Sequence, residues 1–192
     1  MMKITRLTCF CAAAIALAAV SGCSSNRRVP AEPCRSYSMV AGAIGVNNAT
    51  LANAGVRMGS AVGGKKTDPR QNSNIGNVGL RGALEQSLAR FGMLSPTGTY
   101  ELNATLVEED VRLGRDGTVS VTETAFYQLR DNRSGRDVFQ GVFSGGATVS
   151  AMDALPGAML RVAKERAMKM NIENFLLALD RAFPQEKNPA QP

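Results

Sequence analysis

The chain has 192 residues, a net charge of +6 and 44% hydrophobic side chains, enough for one domain with a sizeable core. It contains no histidine, so serine–histidine triads, cysteine–histidine pairs and histidine metal sites are excluded. Its excess of basic residues is small and dispersed, unlike the clustered Lys/Arg face with interleaved aromatics that nucleic-acid binding requires, and no nucleic-acid partner is expected.

Lys3 and Arg6 open the chain with positive charge, and residues 9–20 form an almost purely apolar run. A cationic start, a short greasy stretch and small residues before a break mark residues 1–22 as a cleaved secretory signal. The run falls short of the ~20 residues that cross a bilayer core. It ends in Val20, Ser21, Gly22 and Cys23, a segment that resembles the lipobox of bacterial lipoproteins. The small side chains suit a peptidase site that must accept extended backbone. The resemblance implies a diacylglycerol thioether at Cys23, cleavage after Gly22 and acylation, with palmitate or a similar chain, of the new amino terminus. Three acyl chains exceed the two signals that stable anchoring needs, so the membrane becomes a partner through a covalent lipid anchor. Ser24 rather than Asp follows the cysteine. In that family's sorting logic this implies the outer membrane, with the domain in the periplasm.

Loss of residues 1–22 removes Lys3 and Arg6 and no acid, so Lys+Arg falls from 22 to 20 against 16 Asp+Glu. Cys9 and Cys11 leave with the signal and Cys23 carries lipid, so Cys34 has no internal disulfide partner. It reads as a tolerated tether thiol or as half of an intermolecular bridge. Residues 24–36 are polar and proline-bearing, as a flexible stalk would be. Residues 37–55 are rich in Gly, Ala and Asn and carry no assignable element, so 23–55 is grouped as a lipidated tether and Gly/Ala-rich segment.

The domain is expected over 56–183. Val56, Met58, Ser60 and Val62 alternate with Arg57, Gly59 and Ala61 as a first strand. Over 75–91 the period becomes helical: Ile75, Val78, Leu84, Leu88 and Phe91 share a face, with Ala83 and Ser87 beside it. Ser73 or Asn74 can cap the start, and Gly92 suits a left-handed end. Tyr100, Leu102, Ala104 and Leu106 alternate in a second strand. After a turn at Asp116–Gly117 a third strand buries Val119, Val121, Ala125, Tyr127 and Leu129, interrupted only by Glu123. Val138, Val142 and Phe143 belong to a fourth strand, with Gly145–Gly146 as a bulge or kink. Residues 153–183 are helical in period, through Leu160, Ala163, Ala167, Ile172, Phe175, Leu176, Leu179 and Phe183. The tail 184–192, with three prolines, reads as disordered.

The expected fold is α+β. The order β-α-β-β-β-α implies a two-layer sandwich, a mainly antiparallel four-stranded sheet with two helices on one face. Val62 to Pro69, Leu80 to Leu88, Tyr100 to Leu106 and Met170 to Leu176 resemble segments of the small α/β lipoproteins of proteobacterial envelopes. The element order is more distantly similar to that of the LPS-assembly lipoprotein, which sits inside an outer-membrane barrel. The resemblance carries no catalytic signature.

The motifs point the same way. Gly59 to Thr67 nearly spells a phosphate-binding loop, but Lys66 stands where Ser or Thr must hold Mg²⁺, and Asp68–Pro69 opposes a following helix. Glu108, Glu109 and Asp110 lack the spacing of a calcium loop and read as a solvated strand end. No enzyme, catalytic residue, metal site or cofactor is therefore expected. Two functions remain. One is an accessory module that binds another envelope protein through the outer strand face, where Thr118, Ser120, Thr122 and Thr124 alternate. The other is a binder of lipid or another amphiphile, lined by Met58, Leu84, Leu102, Phe126 and Phe175, with Met152, Met159, Met168 and Met170 as adaptable surface.

Cys23→Ser should leave an uncleaved or soluble precursor, and globomycin should make the wild-type precursor accumulate. Partition of wild-type protein into the aqueous layer of a detergent phase separation would contradict the anchor.

Overall fold

The computed structural model describes residues 30–70 and 72–183. Val20, Ser21, Gly22 and Cys23, the rest of the expected signal segment 1–22 and the tail 184–192 lie outside them. Four strands, β1 (Val56–Val62), β2 (Tyr100–Leu113), β3 (Val119–Asp131) and β4 (Asp137–Val149), form one sheet in chain order. β1 runs parallel to β2, and β2, β3 and β4 are an antiparallel meander. The parallel pair needs a long crossover, and helix α2 (Asn77–Arg90) supplies it. Helix α3 (Met159–Ala182) packs on β3 and β4. The two-layer α+β architecture is thus the expected one.

The chain enters the fold earlier than Val56. The Ala31 N–H donates to Pro69 O at 2.9 Å, and the Arg35 N–H donates to Glu165 Oε1 at 2.8 Å. A 3₁₀ turn (Ser36–Met39) and a short helix α1 (Ala49–Ala54) follow. Met39, Ala41 and Leu51 are fully buried, and Cys34 and Val46 belong to the same core. Asn48 serves two helices: its Oδ1 accepts from Leu51 N at the start of α1, and its Nδ2 donates to Asp180 O and Phe183 O at the end of α3. Residues 30–36 are therefore not a free stalk, and the boundary expected at 56 falls inside the packed unit. Cys34 is a buried free thiol rather than a tether thiol. Burial, reinforced by the nearby Glu165 charge, pushes it up to about 12, which suits neither disulfide formation nor reaction.

Register decides which side chains face the helices. On β3, Val119, Val121, Glu123, Ala125, Tyr127 and Leu129 all point inward and are buried. β1 slips register between Met58 and Ala61, so Val56 and Met58 are buried while Val62, expected inside, is exposed. β4 pairs Phe139, Phe143 and Val149 with inward residues of β3, so Val138 and Val142 face out. Pairing runs unbroken through Gly145 and Gly146, which form no bulge. Gly145 instead marks the closest approach of α3, where a Cβ would lie 2.2 Å from Asn171 N and 2.3 Å from Ala167 O.

The helices begin later than their periodicity suggests. α2 starts after Gly76, so neither Ser73 nor Asn74 caps it, Ile75 is buried in the preceding loop, and Val78 is 86% exposed. The buried face is Leu80, Ala83, Leu84, Ser87 and Leu88, and Gly92 follows with the expected positive φ. α3 begins at Met159, after a run of turns in which the Asp153 carboxylate accepts from the Ser150 N–H and hydroxyl. Met159 and Met168 are core residues, whereas Met152 and Met170 are exposed.

Leu84→Ala and Phe175→Ala should each cost about 2–5 kcal/mol, because both side chains are fully enclosed. Val78→Ala should change stability by less than ~0.5 kcal/mol. Denaturant melts of all three variants check the assignment of helical faces.

Candidate functional site

Two places on the sheet concentrate polar chemistry. The outer face carries Ser120, Thr122 and Thr124 as expected; Thr118 instead closes the β2–β3 turn, its hydroxyl donating to Asp116 Oδ1 at 2.8 Å. Ser120 and Thr148 hydroxyls bond across the strands at 2.8 Å, and Thr124 and Ser144 at 2.9 Å. Thr122 is free to solvent. Phe126 lies on this outer face, opposite Thr105 and Val142, and Val142 is 62% exposed. Arg57 pairs with Glu101, and Arg112 with Asp110 at 2.7 Å. The result is a ladder of small hydroxyls beside an apolar spot, edged by paired charges.

Phe126 therefore cannot line a cavity with Met58, Leu84, Leu102 and Phe175. Those four are packed together in one core with at most 9% exposure. Tyr127 stacks on Phe175 with ring centroids 4.1 Å apart, and its hydroxyl donates to Asn171 Oδ1 at 2.7 Å. Asn171 Nδ2 in turn donates to Glu123 O at 2.9 Å and Phe143 O at 2.5 Å, tying α3 to both β3 and β4.

The second place is on the inner face. Glu123 stands directly opposite Glu109 on β2, because an extra residue at Val107 shifts the register between Leu106 and Glu108. Glu109 is thus no part of a solvated strand end. Lys164 of α3, 1% exposed, sits 2.8 Å from Glu109 Oε2 and donates to Asn74 Oδ1 at 2.9 Å. Asn74, expected as a helix cap, instead joins the β1–α2 loop to α3, and its Nδ2 donates to Lys66 O. A small cleft of about 50 Å³ opens beside the cluster, bounded by Gly63, Lys65, Asn74, Ile75 and Leu106. Glu123 is 2% exposed, and its Oε1 has no hydrogen-bond partner among the described residues. Burial, with the neighbouring Glu109 charge adding to it, pushes the Glu123 carboxyl up to about 8 against the pull of Lys164 and Lys65.

The near-miss phosphate loop is a strand end. Gly63 takes φ +83 and passes so close to β2 that a Cβ would lie 2.3 Å from Leu106 O. No helix follows until Asn77. Among the described residues no three Asp, Glu or Cys side chains converge as a metal set.

No family model matches the sequence, and no curated protein matches it. Solved structures do. A DUF330-family protein, XCC0632 from Xanthomonas campestris, superposes with a TM-score of 0.51 at 10% identity, over 67% of this chain and 84% of that one. The two share a fold. A candidate lipoprotein from Caulobacter crescentus aligns at 19% identity and TM-score 0.49, over 69% of this chain and 95% of that one. A minor lipoprotein from Acinetobacter baumannii aligns at 12% identity and TM-score 0.38, over 68% and 90%.

Lys164→Ala should cost about 3–5 kcal/mol, since it strands the half-buried Glu109 carboxylate beside Glu123. Glu85→Ala, which breaks the exposed pair with Arg81, should cost under ~0.5 kcal/mol. Chemical denaturation at neutral pH measures both.

Proposed function

We propose that this chain is a lipid-anchored lipoprotein of the bacterial envelope, acylated at Cys23 and held at the outer membrane with its domain in the periplasm. It acts as a non-enzymatic interaction module, and its partner is another envelope protein that docks on the outer sheet face. The anchor reading rests on Val20, Ser21, Gly22 and Cys23 after a short apolar run. The docking reading rests on one observation above all. The helices occupy one side of the sheet, and the other side presents Thr122 and Val142 to solvent within a face of small hydroxyls.

Such a face suits a protein partner. Hydroxyls can exchange water for partner groups at little cost, while Phe126 and Val142 supply apolar area at its centre. The tight packing of Met58, Leu84, Leu102 and Phe175 favours docking over an amphiphile held between sheet and helices. A chain without histidine also lacks the side chain that most readily moves protons near neutrality.

Thr122→Arg combined with Val142→Arg should abolish the partner band seen on crosslinking in intact cells and leave the thermal melt within a few degrees of wild type. Thr124 is a poorer choice, because its hydroxyl holds Ser144. Undiminished crosslinking by the double variant would overturn the docking face. Turnover of an envelope substrate by the purified protein would overturn the non-enzymatic reading.

A further inference from the structure

Glu109 and Glu123 face each other across neighbouring strands, and α3 closes over them. Their counter-charges are few. Lys164 approaches from α3 and touches Glu109, and Lys65 stands at the cleft rim on the β1–α2 loop. Glu108 lines the same cleft on the β2 side. On the far side of Lys164, Glu165 is already engaged by Arg161 at 3.1 Å and by the Arg35 N–H, beside the buried Cys34 thiol. One ammonium in contact cannot balance the buried Glu123 carboxylate and the half-buried Glu109 carboxylate together, and a second negative charge there costs more than a proton.

We propose that Glu109 and Glu123 share a single proton, and that this proton latches the first half of α3 and the β1–α2 loop onto the sheet. The latch is a proton-sensitive device. Protonated Glu123 donates to Glu109, Glu109 accepts from Lys164, and Lys164 donates to Asn74 of the loop. Loss of the proton sets like charges against each other at the point where strand, helix and loop meet. The orphaned Oε1 at the back of the cleft marks where the site has least support for that charge. If the domain lies in the periplasm, as the proposed function has it, the latch follows the pH of the surroundings; the latch itself depends only on the folded domain.

The direction of the pH effect follows from linkage. Below the ordinary carboxyl range the folded and unfolded chains both hold the proton, and the latch contributes fully. Between that range and about pH 8 only the folded chain holds it, so stability falls steadily as pH rises. Above about pH 8 both forms have released it and the loss is complete.

Denaturation of the full chain in detergent, from pH 5 to 9, tests this. The wild-type unfolding constant should rise by up to about tenfold per pH unit, beyond the background of other groups, and then level off. Glu123→Gln keeps a donor toward Glu109 and should lose this segment of the profile. Amide exchange in residues 63–76 and 159–171, corrected for intrinsic rates, should be faster in wild type than in Glu123→Gln at pH 8.5. Parallel stability profiles of the two proteins would overturn the proposal. Should Glu123→Gln not fold, carboxyl-carbon NMR of the wild type decides. One glutamate should titrate far above its ordinary range and drop in Glu109→Gln, whereas ordinary titration of every glutamate would overturn the shared proton.

Discussion

The close approach of α3 to β4 at Gly145 organises everything on the inner face of the sheet. Any side chain at that position would collide with the backbone of Asn171 and Ala167. With none there, Ala163 and Ala167 bring the helix down, and the Asn171 amide reaches carbonyls of both β3 and β4. The buried backbone groups it satisfies would otherwise be a cost of such tight packing. The same descent places Phe175 on Tyr127 and Lys164 on Glu109. Gly145 is also the β4 partner of Glu123, which is itself the β3 partner of Glu109. The glycine and the two acids therefore form one row across the sheet, and the contact that makes the core dense is the contact that buries Glu123 and half-buries Glu109.

Much of the fold was legible in the chain because its signals are local. The alternation along Tyr100 to Leu106 and Val119 to Leu129 needs nothing beyond the pleat, and Gly92 ends α2 through its own φ. What failed was governed by register or by distant packing. The bulge at Met58–Ala61 reverses the phase of β1 midway, and the β3–β4 register alone decides that Val138 and Val142 face outward. The segment 30–55 has no periodicity to read. Its order comes from bonds to residues far along the chain, Glu165, Ser87 and the end of α3 among them.

The inner cluster was half legible. Glu123 interrupts an apolar series, which is the signal of a buried acid with a purpose. Its partners were not. Glu109 rather than Glu108 faces it only because of the bulge at Val107, and Lys164 belongs to a helix whose register follows from Gly145. Asn74 had a plausible local role as a cap, and a tertiary bond to Lys164 overrides it. Helix capping is worth about 1 kcal/mol, less than leaving a buried ammonium short of an acceptor.

Glu123 and Thr122 are neighbours in sequence and serve opposite sides of the sheet. The period of two separates them, so electrostatics buried under α3 and chemistry offered to solvent can be tuned independently along one strand. They remain joined through the backbone of β3, since whatever moves the Glu109–Glu123 row moves the register that sets Asp110 against Thr122 and Glu108 against Thr124. A sheet with helices on both faces would hold that register rigidly. Here only one face is braced by helices, and the brace is fastened next to the acids by Lys164 and Asn171. A domain built this way carries its most charge-sensitive joint directly behind its exposed sheet face.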